Sequence, residues 1–389
     1  MFFLPLVPIN STTTLGRQSQ YPNSWDVVRH FGIRLSDCFV VTQFSADPRP
    51  TTASDALPAP RLIALDWGTT SCRAYLLGPD GLVIETRSNG KGILQLSADP
   101  ATKDAEFAAE LTRLCGDWIH EAPHLPLLAC GMIGSNQGWA EAGYAPLPSR
   151  IMAKGPALTP VETRQGILHI APGLVKDAGA DDHGLPDVIR GEETQLRGIL
   201  SGKESPASSI IVLPGTHTKW VLLDEDEVLD FTTSMTGELY SLLIHHSILG
   251  RHSIPPRHPD EAAFLRGVDV GIGTESQEEG RPGLLTALFS ARSLAMTNDL
   301  TADAVQDYVS GLLIGSEVAG FTRRWVGRTS TQEPPRPSIT ICANPSLASR
   351  YKRAFLRLGI RVNTAADDTT AKGLWHTAVL SGLLAKEKA

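Results

Sequence analysis

The sequence predicts an α/β protein made of two lobes of related design, and three observations carry that reading. Strand-forming segments followed by helical patterns occur twice along the chain. The segment Gly68-Thr69-Thr70-Ser71-Cys72-Arg73-Ala74-Tyr75-Leu76-Leu77 is echoed, one residue shorter, by Gly215-Thr216-His217-Thr218-Lys219-Trp220-Val221-Leu222-Leu223. The third is size: 389 residues with 42% hydrophobic and 20% charged side chains can fill two cores, which excludes a chain disordered throughout.

Residues 1–60 differ from the rest. They carry the Ser/Thr run Ser11 to Thr14, the prolines Pro48, Pro50, Pro58 and Pro60, and one short amphipathic piece near Trp25 to Phe31, so a poorly ordered extension is expected. The apolar stretch Met1 to Pro8 has no basic residue before it, two prolines and no small-residue cleavage site, and is read as not a signal peptide. After Pro60 the texture changes. Arg61 to Asp66 is an apolar strand, and Arg73 to Leu77 and Leu82 to Thr86 follow across a Gly78-Pro79-Asp80-Gly81 turn. Phe107, Leu111, Leu114 and Trp118 recur at helical spacing and predict a helix over Thr102 to Glu121. Leu125 to Cys130 reads as a buried strand entering the loop Gly131-Met132-Ile133-Gly134-Ser135.

The second lobe repeats the order. Strands are expected at Ile210 to Leu213, Trp220 to Leu223 and Val228 to Phe231, with a hairpin at Asp224-Glu225-Asp226. Helices are expected at Gly237 to Leu249, Asp260 to Gly267, Pro282 to Ala295, Asp303 to Trp325 and Leu347 to Leu358, with a strand at Ser338 to Cys342 and a last helix from Asp368 to Leu384. Gly311 and Gly315, four apart, predict close packing on a neighbouring backbone. The lobes are set at residues 61–205 and 206–389.

A net charge of −7 offers no basic field for a polyanion, so nucleic acid is not an expected partner. The five cysteines are scattered and form no C-x-x-C pair, which points away from disulfides and structural zinc and toward a reducing compartment, the cytoplasm. No run is long and apolar enough for a membrane helix, so no membrane partner is expected.

In each copy of the repeat a strand ends, a Gly-Thr turn exposes hydroxyls and N–H groups, a basic residue follows and a second strand leaves. Such a tip suits an anion, and two facing tips could clamp a polyphosphate. Asp66, ending the strand before the first tip, is placed to hold Mg²⁺ through water; otherwise it caps the turn.

These residues carry a family resemblance. Leu65 to Arg73 resembles the first phosphate motif of the actin-like ATPase superfamily of sugar kinases, and Gly215 to Trp220 resembles the second. Cys130 to Ala142, Arg190-Gly191-Glu192-Glu193-Thr194-Gln195, and Met235 to Tyr240 with His246 to Leu249 resemble the 2-dehydro-3-deoxygalactonokinase family, over roughly residues 61 to 385. The resemblance implies a two-lobed actin-like ATPase (ribonuclease H-like) fold with a central interlobe cleft. It also implies ATP and Mg²⁺ as cofactors, a small-molecule sugar acid as partner, and phosphorylation of the 6-hydroxyl of 2-dehydro-3-deoxy-D-galactonate. The rivals are a kinase for another keto-deoxy or aldonic acid, such as the gluconate epimer, and a non-catalytic sugar or nucleotide sensor.

Roles then follow by position. Gly68, Thr69, Thr70, Arg73, Gly215, Thr216, Thr218 and Lys219 are expected at the phosphates, and Ala343 and Asn344 at the adenosine end, where the glycine usual in the superfamily is absent. Glu192 is the candidate base, with Glu193 and Asp187 as alternatives; the family usually has Asp here, and the plainer role for Glu192 is to complement a helix dipole. Gly131, Met132, Gly134, Ser135, Gln137 and Trp139 are expected to hold the sugar acid, with Trp139 as a core anchor on the plainer reading. Arg190, Lys219, Arg73 and Arg150 are the cations available for its carboxylate.

Overall fold

A computed structural model describes residues 58–177, 185–202, 208–251, 253–276, 280–326, 337–366 and 369–384. The expected N-terminal extension, apart from residues 58–60, lies outside the described residues.

The first sheet begins with three antiparallel strands, β1 (Leu62–Trp67), β2 (Ser71–Leu77) and β3 (Val83–Lys91). Helix α1 (Lys103–Glu121) then returns the chain to β4 (Leu127–Cys130), which runs parallel to β1. Continuing, β5 (Tyr144–Pro146), β6 (Ser149–Arg150), β7 (Thr159–Thr163), β8 (Gly166–Ile170), β9 (Gly173–Lys176) and β10 (Asp187–Ile189) lead to α2 (Glu192–Leu200). The first sheet has the order β3-β2-β1-β4-β8-β7, and β10-β9-β5 form a separate small sheet.

The second sheet starts the same way, with antiparallel β11 (Ser209–Leu213), β12 (Thr218–Asp224) and β13 (Glu227–Ser234). Helices α3 (Thr236–His246), α4 (Glu261–Thr274), α5 (Leu284–Leu288), α6 (Ser290–Met296) and α7 (Val305–Phe321) intervene before β14 (Ser338–Ile341), parallel to β11. Helix α8 (Pro345–Arg357), β15 (Asn363–Thr364) and α9 (Thr369–Ser381) complete the chain's described elements. Within the order β15-β14-β11-β12-β13-β6, the run β13-β12-β11-β14 repeats β3-β2-β1-β4 of the first sheet strand for strand, the duplicated topology that the resemblance to the actin-like ATPases implies.

The continuous apolar runs of β1 and β11 reflect burial on both faces. Ile63, Leu65 and Trp67 pack on Phe107, Leu111, Leu114 and Trp118 of α1, while Leu62 and Ala64 pack on Ala371, Leu374 and Ala378 of α9. On β11, Ile210 and Val212 meet Tyr351 and Phe355 of α8, and Ile211 and Leu213 meet Leu196 and Leu200 of α2. The two helices are exchanged: α2 precedes the second sheet in sequence yet covers it, and α9 returns from the second sheet to cover the first.

They cross in contact at two glycines. A Cβ on Gly198 would overlap the Thr369 carbonyl oxygen, and one on Gly373 would overlap that of Thr194. Either alanine substitution must spread the helices, and overpacking of this kind costs about 1–3 kcal/mol. Gly198→Ala and Gly373→Ala are each expected to lower Tm by several degrees in a thermal melt; an unchanged Tm would contradict the crossing.

Helices α4 and α7 approach equally closely. Gly267 and Gly271 abut the backbone of Tyr308 and Leu312, and Gly311 and Gly315 abut that of Phe264 and Val268. Hence α4 runs on to Thr274 instead of stopping at Gly267: glycines that weaken a helix by propensity here permit its packing. The expected helix over Pro282 to Ala295 is two, broken at Phe289, and the one expected to reach Trp325 passes into a wider turn after Phe321.

Candidate active site

The two Gly-Thr turns lie at the rim of one cleft of about 820 Å³ between the sheets. In the first, Gly68 N–H donates to Ser71 O at 2.9 Å, and Ile93 and Leu94 N–H donate to the carbonyls of Gly68 and Thr69, both at 3.1 Å. Gly92 makes that support possible, since a Cβ there would strike the Thr69 to Ser71 backbone. Gly237 does the same under Gly215 and Thr216, and Glu238 N–H donates to Thr216 O at 2.8 Å. The Met235 to Tyr240 segment is thus the platform of the second turn.

Strand alternation decides which side chains after each turn reach the cleft. Arg73 and Lys219 line it. Cys72 and Thr218 point inward and are buried. Thr218 Oγ1 shares a 2.9 Å hydrogen bond with Tyr351 Oη, which donates to Glu317 Oε2 at 2.8 Å. The expectation that Thr218 meets the nucleotide is therefore corrected: its hydroxyl belongs to an interior network around Glu317, whose carboxyl burial pushes up to about 7. Thr69, Gly215 and Thr216 line the cleft; Gly68 and Thr70 shape the first turn without doing so.

Between the turns stand two carboxylates. Asp66 is the last residue but one of β1, opposite Arg73 on β2 and Cys130 on β4. Glu192 opens α2, after Gly191 at φ 104°. Gly131, at φ 90°, and Gly191 meet backbone to backbone: a Cβ on Gly191 would lie 3.2 Å from Gly131 Cα. Two glycines thereby let the end of β4 and the start of α2 converge beside Asp66. Burial raises the Asp66 carboxyl to about 6, with Arg73 opposing the rise and the negative charge of Glu192 adding to it. Burial likewise raises Glu192, opposed by Lys219, by N–H donors and by His217; Arg190 N–H donates to Glu192 Oε2 at 3.0 Å.

The alternatives to Glu192 are engaged elsewhere. Glu193 is buried, accepts from Gly191 N–H at 2.6 Å and Thr194 Oγ1 at 2.9 Å, and does not line the cleft. Asp187 accepts from Thr233 N–H at 2.6 Å and Thr233 Oγ1 at 2.8 Å, at the edge of the second sheet.

Of the expected sugar-acid loop, Met132 lines the cleft, and Gly131 and Gly134 pack behind it. Ser135, Gln137 and Trp139 do not. Ser135 Oγ donates to Met132 O and accepts from Gly138 N–H, closing a tight turn. Gln137 is exposed. Trp139 stacks on Phe107 at 5.6 Å and packs edge-on to Trp67, inside the first lobe. Its apolar bulk found a core to fill, which outweighs presenting it to a polar ligand.

Among the four candidate cations, Arg150 is paired with Asp226 and Glu227 away from the cleft. Lys219 Nζ donates to Thr233 Oγ1 at 2.9 Å, and Arg73 leans on Tyr75 Oη at 3.4 Å. Arg190 is buried, lies over the Tyr144 ring at 4.1 Å, and gives Nη2–H to Ala142 O at 2.7 Å. Its Nη1 has no hydrogen-bond partner among the described residues and occupies the space a Gly134 side chain would fill.

The far wall is made by Leu213 and Pro214, by Cys342 to Pro345, and by Thr369 and Thr370 of α9. Asn344 caps α8, its Oδ1 accepting from Leu347 N–H at 3.0 Å, and Ala343 stands in the expected glycine's place. Tyr144, Gln195 and His217, to which the sequence assigns no site role, also line the cleft. His217 stood inside the quoted repeat and was discoverable from its place next to Lys219.

A family model described as 2-keto-3-deoxy-galactonokinase matches residues 66–377. A 2-dehydro-3-deoxygalactonokinase of Escherichia coli K12 is 37% identical over 309 residues, 79% of this chain and 94% of its own. A protein of Rhizobium meliloti 1021 assigned the same activity is 32% identical over 315 residues, 80% of this chain and 94% of its own. A crystal structure of a protein so assigned, from Sinorhizobium meliloti, superposes with a TM-score of 0.68 at 31% identity, covering 82% of this chain and 98% of that one. With the cleft, the paired turns and these relatives together, the chain belongs to the 2-keto-3-deoxy-galactonokinase family and is a sugar-acid kinase.

Proposed function

We propose that the chain transfers the γ-phosphoryl group of Mg-ATP to the 6-hydroxyl of 2-dehydro-3-deoxy-D-galactonate, in galactonate catabolism. The observation that carries this reading is the convergence of Asp66 and Glu192 between two phosphate-type turns in one cleft. The names of the E. coli and Rhizobium relatives support the substrate.

Phosphoryl transfer asks the protein for placement and for a base. Thr69, Gly215, Thr216, Arg73 and Lys219 receive the phosphates, and the adenosine lies along Ala343 and Asn344. Glu192 accepts the proton of the sugar hydroxyl; a buried carboxylate with a raised pKa is matched to that task near neutral pH. Among the described residues no cluster of three or more His, Cys, Asp and Glu could hold a metal by itself. Asp66 does fit an Mg²⁺ ion shared with the nucleotide: a single half-buried carboxylate whose charge is costly without a cation. Bound there, the ion would neutralise charge on the phosphate oxygens.

Arg190 is assigned to the C1 carboxylate, for which its place in the cleft wall and its seat on Tyr144 qualify it. Arg190→Ala is expected to raise KM for the sugar acid by about ten- to a hundredfold, with KM for ATP nearly unchanged. Steady-state kinetics with each substrate varied in turn checks this, and an unchanged sugar-acid KM contradicts it.

The proposal places the sugar-acid site in residues 61–205 and the nucleotide site chiefly in 206–389. A cytoplasmic setting is part of it, supported by the free thiols of Cys72, Cys115, Cys130 and Cys342. Among the described residues no helix is long and apolar enough to cross a membrane. Incubation with Mg-ATP and a panel of sugar acids tests the reading; ATP consumption with no sugar acid in the panel would overturn it.

A further inference from the structure

We propose that His217, presented by Glu238, is a direct ligand of the nucleotide's terminal phosphates, a cationic contact that the first turn lacks. The inference rests on the ATP-dependent reading of the cleft given above.

The register of the repeat isolates this residue. With Arg73 matched to Lys219, Ser71 stands in the first turn where His217 stands in the second. One tip presents a hydroxyl, the other an imidazole. His217 lines the cleft together with Gly215 and Thr216. Its side chain is 45% exposed, so a ligand can reach it.

Its position is fixed from two directions. Glu238 N–H holds the carbonyl of Thr216, and Glu238 Oε2 lies 2.5 Å from His217 Nε2. An ionised carboxylate only accepts, so Nε2 carries the hydrogen of that bond and Nδ1 is the atom left for a ligand. Among the described residues Nδ1 has no hydrogen-bond partner. A ring carrying hydrogen on both nitrogens would give Nδ1–H to a phosphate oxygen as a charge-assisted hydrogen bond.

His217, Lys219 and Glu192 line the same cleft, and His217 and Lys219 both oppose the rise of the Glu192 carboxyl, so the imidazole stands near the base. Lys219 Nζ is tied to Thr233 Oγ1, which is itself bonded to Asp187. The side chain at the tip with an atom left for a ligand is therefore the imidazole. A Glu at the start of α3 would complement the helix dipole in any case, but that role requires no bond to a ring across the turn.

The test is calorimetric titration of the full chain with β,γ-imido-ATP and Mg²⁺, and separately with AMP and with the sugar acid. His217→Ala is expected to weaken imido-ATP binding about tenfold or more, the loss of one charge-assisted hydrogen bond, and to leave AMP and sugar-acid binding essentially unchanged. His217→Asn, whose amide can take the place of Nδ1, should recover part of the loss, whereas His217→Gln should not. Glu238→Ala should weaken imido-ATP binding in the wild-type background and have no further effect beside His217→Ala. Equal imido-ATP affinity in wild type and His217→Ala overturns the proposal, as does a parallel loss of AMP binding, which would mark a structural role. A wild-type chain that binds no imido-ATP would instead overturn the ATP reading itself.

Discussion

Glu192→Gln is expected to lower kcat by about 10²–10⁴-fold, the range lost with a general base, while the affinity for the sugar acid stays close to that of wild type. The reason lies in how α2 starts. Gly191 turns the backbone so that Glu192 faces the cleft and Glu193 faces the interior, although the two are adjacent. Glutamine keeps the shape and the acceptor for Arg190 N–H but cannot take a proton. Glu193→Gln is the control. Burial and the neighbouring Glu192 raise the Glu193 carboxyl to about 7, yet it touches no cleft wall, so its replacement is expected to change kcat by no more than about threefold. Pre-steady-state measurement of the transfer step in both variants separates them. A Glu193→Gln enzyme that loses turnover while Glu192→Gln retains it would reverse the assignment.

Asp66→Asn is expected to remove Mg-ATP-dependent activity and, at the same time, to stabilise the folded chain at alkaline pH. The two effects come from one cause. The folded state holds the Asp66 carboxyl at about 6, above the ordinary 3.8, chiefly because the charged form is buried. The folded protein therefore binds this proton more tightly than the unfolded chain does. Its contribution to stability is fully present below the unfolded value, declines as pH rises between the two values, and is lost above the folded one. Asparagine carries no charge at any pH, so Asp66→Asn should melt at a higher temperature than wild type at pH 8, with the difference shrinking toward pH 4. The kcat/KM for Mg-ATP should also fall as pH drops through about 6, as the free enzyme's Asp66 carboxylate becomes protonated. Melting curves across pH, with Mg²⁺ and nucleotide omitted, test the stability arm. An Asp66→Asn chain less stable than wild type at pH 8 would show that the carboxylate is a structural cap.

What could be read from the sequence was what repeats or alternates over several residues. The echo of Gly68 to Leu77 in Gly215 to Leu223 reports a duplicated strand-turn-strand, and both copies stand at the same place in their sheets. The region from Tyr144 to Ile189 was opaque because its strands are two to five residues long and only partly buried, too short for a period to show. The helix expected at Asp260 to Gly267 is shorter than α4 because its glycines count against a helix unless the partner backbone is known. Nor could a single strand reveal that α2 and α9 exchange sheets, since each apolar face is equally satisfied by either.

Within the site, residues defined by backbone geometry were the most legible: the turns, and the glycines at Gly131 and Gly191. Side-chain direction was less so. Thr218 lay in the right segment but on the inward side of β12, and Trp139 lay in the right loop but turned into the Phe107 and Trp67 core. Arg190 could be separated from Arg150 only once the Asp226 pairing of the latter was visible.

The most direct measurement of the central claim is identification of the product formed from Mg-ATP and 2-dehydro-3-deoxy-D-galactonate, with the gluconate epimer in competition. The account predicts stoichiometric ADP and a phosphate ester on C6 of the galactonate-derived acid, seen as phosphorus–proton coupling to the C6 methylene by NMR. A phosphate on another carbon, a product from the epimer alone, or ligand binding without any phosphorylated product would contradict it.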